Sequence, residues 1–100
     1  MDMNKMMKQA RKMQKDMEAA QAEVAAMSRT ATAGGVVSAT ATGENAITDV
    51  SIDPSAVDPE DVEGLEDLVL TAVNEALGQV QEAAKERLSA ATGGLSLPGM

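Results

Sequence analysis

Apolar residues in the first quarter of the chain fall at Met3, Met6, Ala10, Met13, Met17, Ala20, Val24 and Met27, in steps that alternate three and four. Such steps define a heptad seam, the narrow stripe by which one helix packs along another. The spacing predicts a first helix over about residues 3–27, filled by Gln, Lys, Met, Ala and Glu with no glycine or proline. At Ser28 the period shortens to two. Alternating Thr and Ala predict a strand over about 29–33, a second over 36–42 and a third over 46–53, the last with Ala46, Thr48, Val50 and Ile52 on one face. Gly34-Gly35 is a two-residue hairpin signal, and Gly43-Glu44-Asn45 supplies the next turn. Three strands joined this closely form an antiparallel meander with one covered face. Their small side chains imply a close approach by whatever covers it.

Pro54 ends the third strand. Asp58-Pro59-Glu60-Asp61 then reads as a helix start, Asp58 as N-cap and Pro59 in the first helical position. Val62, Leu65, Val69, Val73, Ala76, Val80, Ala84 and Leu88 mark one face of a long second helix over about 59–91, which Leu68 and Leu77 widen. Gly64 and Gly78 weaken it locally, Gly93-Gly94 stops it, and residues 93–100 are expected to form a mobile tail. The fold class is α+β: helix, three-stranded antiparallel sheet, helix, in one domain over residues 1–92.

Composition changes this picture in one respect. The chain has 100 residues and eighteen alanines, with no Phe, Trp or Tyr. A monomer so built buries little large-side-chain volume, and dimerisation is the easier route to a core. Without Cys or His there is no disulfide, no thiolate metal site, no catalytic thiol and no neutral-pH proton shuttle. No apolar run approaches the roughly 20 residues that span a bilayer, and the N-terminus lacks the apolar block of a signal peptide. A cytoplasmic protein is expected.

The net charge is −8, which as an average argues against nucleic acid. Its distribution argues otherwise. Lys5, Lys8, Arg11, Lys12 and Lys15 oppose Asp2 alone in residues 1–15, whereas residues 44–67 hold nine acids and no base. With Met3 at heptad position a, the five cations occupy c, f, b, c and f, on the side away from the seam. The basic half of this helix comes first and its acids, Asp16, Glu18 and Glu23, come last, against the helix dipole. The arrangement offers protein on its back and a polyanion on its front. A merely solvated face is the bland alternative. A helix lying on an anionic membrane is a third reading, disfavoured by the regular seam and the absence of bulky apolar anchors.

Other constellations carry less. Asp53, Asp58, Asp61, Glu66 and Asp67 match no EF-hand spacing and are explained by capping, turns and solvation. Gly34-Gly35 is no phosphate loop, since neither a Lys-Ser/Thr pair nor a helix follows. Carboxylates with Ser and Thr alone make a poor catalytic set, so no enzyme, cofactor, metal or small-molecule substrate is expected. The methionines read as core packing.

Val50-Ser51-Ile52-Asp53-Pro54, then Leu65-Glu66-Asp67-Leu68-Val69 and Asn74-Glu75-Ala76, resemble the YbaB/EbfC family of nucleoid-associated proteins. Met6-Met7-Lys8-Gln9-Ala10 with Met13-Gln14 looks like that family's opening helix, and Leu95 to Gly99 is similar to its Leu-Pro-rich end. The resemblance runs along nearly the whole chain. It implies a small bacterial homodimer shaped like tweezers, with helical arms projecting from a shared sheet core. It further implies a protein of the nucleoid that grips double-stranded DNA without strong sequence demand, organises or protects it and affects gene expression. Many members carry basic residues on the strands; here the second and third strands have none. That leaves Lys5, Lys8, Arg11, Lys12 and Lys15 as the DNA-binding candidates, with Arg29, Lys85 and Arg87 as the remaining cations. The competing function is an acidic helical adaptor that docks another protein through its first helix.

Overall fold

The computed structural model describes residues 2–92; the expected tail over 93–100 lies outside the described residues. The elements run α1 (Met3–Ala26), β1 (Ser28–Ala33), β2 (Val37–Thr42), β3 (Ile47–Ile52), a single 3₁₀ turn (Pro54–Ala56) and α2 (Val62–Ala91), an α+β fold. Asp2 starts α1, its carboxylate accepting from the Asn4 amide at 3.0 Å. The helix passes through Met27 directly into β1. The following turn is tied back to it: the Gly43 amide donates to the Met27 carbonyl, and a Cβ at Gly43 would collide with the Val24 carbonyl.

The sheet is antiparallel in the order β1-β2-β3. Gly34 and Gly35 both have positive φ, 59° and 72°, the backbone sign of the type I′ turn their sequence announces. Val37, Ala39 and Ala41 of β2 and Ala31 and Ala33 of β1 are buried on one face. The opposite face carries hydroxyls paired across the strands, Thr30 with Thr40 at 2.7 Å and Thr32 with Ser38 at 2.9 Å. The alternation of Thr and Ala is thus an alternation of the wet and dry sides of the sheet.

β3 departs from the simple alternation. Thr40 pairs with Asp49 but Ala41 with Ile47, so Thr48 is an extra, bulged residue. The bulge changes the phase. The core-side set is Ile47, Val50 and Ile52, opposite Ala41, Ala39 and Val37, and not the run Ala46, Thr48, Val50, Ile52 that strict alternation predicts.

α2 lies across the dry face with Ala72, Ala76 and Val80 fully buried. Alanine meets alanine over most of this contact, which lets helix and sheet approach closely. The largest fully buried side chains are only the valines Val37 and Val80. α2 starts later than Pro59. Asp61 is its N-cap, accepting from the Gly64 amide at 3.1 Å. Asp58 instead closes a separate turn, accepting from the Glu60 amide at its side chain and the Asp61 amide at its carbonyl. Asp-Pro serves turns as well as helix starts, and the second acid, with Val62 behind it, takes the cap.

Beyond the sheet, α2 runs alongside α1. Ala20 is fully buried there, Met17 and Val24 are half-buried, and Arg87 makes a bidentate pair with Glu23. Toward the N-terminus the cover given by the described residues thins: Met13, which shares a hollow with Ala90, Ala91 and Thr92 at the end of α2, is 48% exposed, Met6 50% and Met3 74%. The result is a rod, 72 × 23 × 16 Å, with the first turns of α1 projecting from one end.

Candidate nucleic-acid interface

The N-terminal half of α1 is where the cations collect, with Lys12 beside the end of α2 at Ala90, Ala91 and Thr92. Lys5, Lys8, Arg11, Lys12 and Lys15 are all exposed. Residues three, four and seven apart share a helical face, so Lys8, Lys12 and Lys15 form one row, with Lys5 and Arg11 on its two sides. At 1.5 Å rise per residue the row from Lys5 to Lys15 is roughly 15 Å long. Lys8, Arg11, Lys12 and Lys15 border a shallow hollow of about 330 Å³ whose one acidic neighbour is Asp16. The Glu23–Arg87 pair is the one salt bridge among the described residues, so none of the five is spent on a carboxylate of a described residue.

The other three cations are placed differently. The Arg29 guanidinium, at the start of β1, donates to the Ser28 carbonyl at 2.8 Å. Arg87 is committed to Glu23, which its hydrogen bond holds below the usual carboxylate range. Lys85 is exposed on α2 between Glu82 and Glu86. The structure brings together the five residues of the stripe and leaves Arg29, Lys85 and Arg87 out of it.

Two further surfaces are not evident in the apolar and charge patterns. On the β3 side of α2, Ile52, Leu65, Val69, Leu70 and Val73 line a mainly apolar hollow of about 570 Å³, with the acids Glu66 and Asp67 also in its lining. Leu70 is 59% exposed there, and Val50 and Ile52 stand open on the adjoining strand. Alternation along β3 puts Val50 and Ile52 on one face but does not say that α2 lies beside them. On the β1 side of α2, Glu75, Gln79, Glu82 and Glu86 border a broader groove of about 730 Å³ with Gly78 in its wall and Arg29 at its edge. The seven-residue step from Glu75 to Glu82 could have flagged it. Among the described residues no group of three or more His, Cys, Asp or Glu side chains could hold a metal ion. No described helix is long and apolar enough to cross a membrane.

A small α+β protein with a row of exposed cations on its first helix is the class that fold and site define. The sequence profile of the YbaB/EbfC DNA-binding family matches residues 1–95, and the chain belongs to that family. It is 50% identical over 101 residues to a nucleoid-associated protein of Ruminiclostridium cellulolyticum, covering 99% of this chain and 88% of that one. It is 48% identical over 100 residues to one of Clostridium acetobutylicum, at 99% and 89% coverage. Among solved structures it is similar to an uncharacterized protein of Helicobacter pylori, with a TM-score of 0.66 and 25% identity over 86% of this chain and 91% of that one.

Proposed function

We propose that the chain works as a homodimeric, nucleoid-associated protein that grips double-stranded DNA through its phosphates, using Lys5, Lys8, Arg11, Lys12 and Lys15. The observation that carries this reading is the set of five exposed cations, without an ion pair among the described residues, gathered on one face of the N-terminal half of α1 in an otherwise acidic chain. Binding would draw its free energy chiefly from counterions released by the duplex. Phosphate contacts position a protein without reading bases, so sequence demand is low. Such binding suits organising or protecting the nucleoid, with broad effects on gene expression as the consequence; the nucleoid names of the relatives point the same way.

The dimer belongs to the same reading. The core is made of alanines and two valines, while Leu70, Ile52 and Val50 remain open to solvent on the β3 flank. A second copy laid on that flank removes apolar area from water that the single chain leaves exposed. Two arms then present ten cations.

The deciding experiment is a fluorescence-anisotropy titration of a labelled duplex with wild type and with the triple variant Lys8→Glu, Arg11→Glu, Lys12→Glu. Wild type is expected to bind at low salt whatever the duplex sequence, and the variant to lose binding. Equal binding by both reduces the stripe to a solvated face. No binding by wild type at low salt returns the chain to the reading of an acidic helical adaptor for another protein.

A further inference from the structure

The molecule carries two helical faces of opposite charge that make no ion pair with each other among the described residues. One is the Lys5–Lys15 row on the N-terminal half of α1. The other is the groove on the β1 side of α2, bordered by Glu75, Gln79, Glu82 and Glu86. The two helices are held together near Glu23 and Arg87, and α1 continues as an unbroken helix away from the groove. An unbroken helix does not fold its end back.

Three features of the groove favour a helix as occupant. Glu75 and Glu82 repeat at seven residues, the stride that relates Lys5 to Lys12 and Lys8 to Lys15, so two pairs form in one register when the helices lie side by side. Gly78 stands in the groove wall, and a Cβ there would meet nothing within 4 Å. A glycine inside a helix is less favourable than alanine, and packing among the described residues offers no return for it. It does leave a flat place where another backbone can come close. The groove also lies on the opposite flank of α2 from the apolar hollow, the one beside β1 and the other beside β3, so a dimer formed on the apolar flank leaves it free.

We propose that this groove receives the cationic arm of another copy of the same protein, joining assemblies head to tail. The contact is heterologous, so it propagates into open chains and does not close on itself. DNA and the groove then compete for one arm, and the protein stores itself in self-associated form until a duplex displaces the glutamates. The self-association stands on the two faces alone; the competition rests on the DNA-binding reading proposed above.

Sedimentation velocity on the full chain tests this at low and high salt over a range of concentrations. Wild type is expected to grow past its basal assembly as concentration rises at low salt and to return to it at high salt. Glu75→Lys with Glu82→Lys should weaken the growth roughly tenfold, about the worth of two exposed ion pairs. A control with the same charge change elsewhere, Glu44→Lys with Asp49→Lys, should keep it. Gly78→Leu, which leaves every charge in place and fills the wall, should weaken it as well. Mixing the Glu75→Lys, Glu82→Lys protein with a Lys8→Glu, Lys15→Glu protein should restore association between the two, a recovery that loss of folding cannot imitate. Wild type that stays at one size at low salt overturns the proposal, and so does groove-variant growth equal to wild type. If wild type associates through the groove but an added duplex neither binds nor disperses it, the DNA-binding reading fails and the self-association stands.

Discussion

Glu23 near the end of α1 accepts two hydrogen bonds from Arg87 near the end of α2, from Nε to Oε2 and from Nη2 to Oε1 at 3.2 Å. The pair is the polar clasp between the arm and the body. Glu23→Ala or Arg87→Ala is expected to loosen α1 locally while the sheet holds. Hydrogen exchange should quicken over Asp16–Ala26 and stay unchanged in β2. Equal quickening in both would mean that the clasp supports the whole fold.

The same pair gives the arm a pH response. The hydrogen bond from Arg87 lowers the Glu23 pKa, and the Ser55 amide at 2.9 Å lowers that of Asp53. A carboxylate lowered in the folded state contributes stability above its unfolded pKa and loses it as pH falls through the folded one. Urea midpoints of wild type should therefore exceed those of the Glu23→Gln, Asp53→Asn variant at neutral pH, and the gap should close on acidifying below about pH 4 to 5. A gap that persists at lower pH would place the effect in packing.

The alanine contact between α2 and the sheet leaves no room. Ala76 is fully buried against a cluster that includes Ala39 and Ala41. Ala76→Leu is expected to cost about 1–3 kcal/mol or more through overpacking. Chemical denaturation should show a lower midpoint at unchanged slope. An unaltered midpoint would show that helix and sheet can part without penalty.

Leu70 separates monomer from dimer. It is 59% exposed in the single chain, so Leu70→Asp should leave a monomer's fold intact. In a dimer built on the β3 flank the same change buries an unpaired charge. Light scattering is expected to show wild type as a dimer at micromolar concentration and the variant shifted toward monomer, with a melting temperature that depends on concentration. A variant as dimeric as wild type moves the interface elsewhere.

Salt dependence measures how many of the cations touch phosphate. If about half of the ten in a dimer do so, log affinity should fall with log salt at a slope of roughly −4 to −5. Removing Lys85 and Arg87 should change the slope little, because Arg87 already serves Glu23. A slope near zero would leave no role for the stripe.

Much of the architecture could be read from residue pattern because the local signals agree with one another. Gly34-Gly35 admits few turns, and Thr-Ala alternation states which side of a strand is dry. Two boundaries misled for definite reasons. The bulge at Thr48 breaks the two-residue period on which the face of β3 was predicted, and Asp58-Pro59 is equally at home in a turn and a helix start. The cationic row was legible because a solvated helical face keeps its spacing wherever the helix goes. The seam was only half legible. Its period gives the face, but the end of α2 reaches only as far as Met13, and no feature of Met3 or Met6 says what covers them. The apolar and acidic grooves flanking α2 were hidden, since each needs an edge strand brought beside the helix.

The projecting turns of α1 also bear on how such a protein can change over time. The helix from Met3 to Lys8 is exposed and meets no close-packed surface among the described residues, and its cations take part in no turn, cap or clasp there. Side chains there can be exchanged, or moved along by a whole helical turn, while the alanine contact beneath α2 stays as it is. The charge this arm presents is therefore free to drift without refolding.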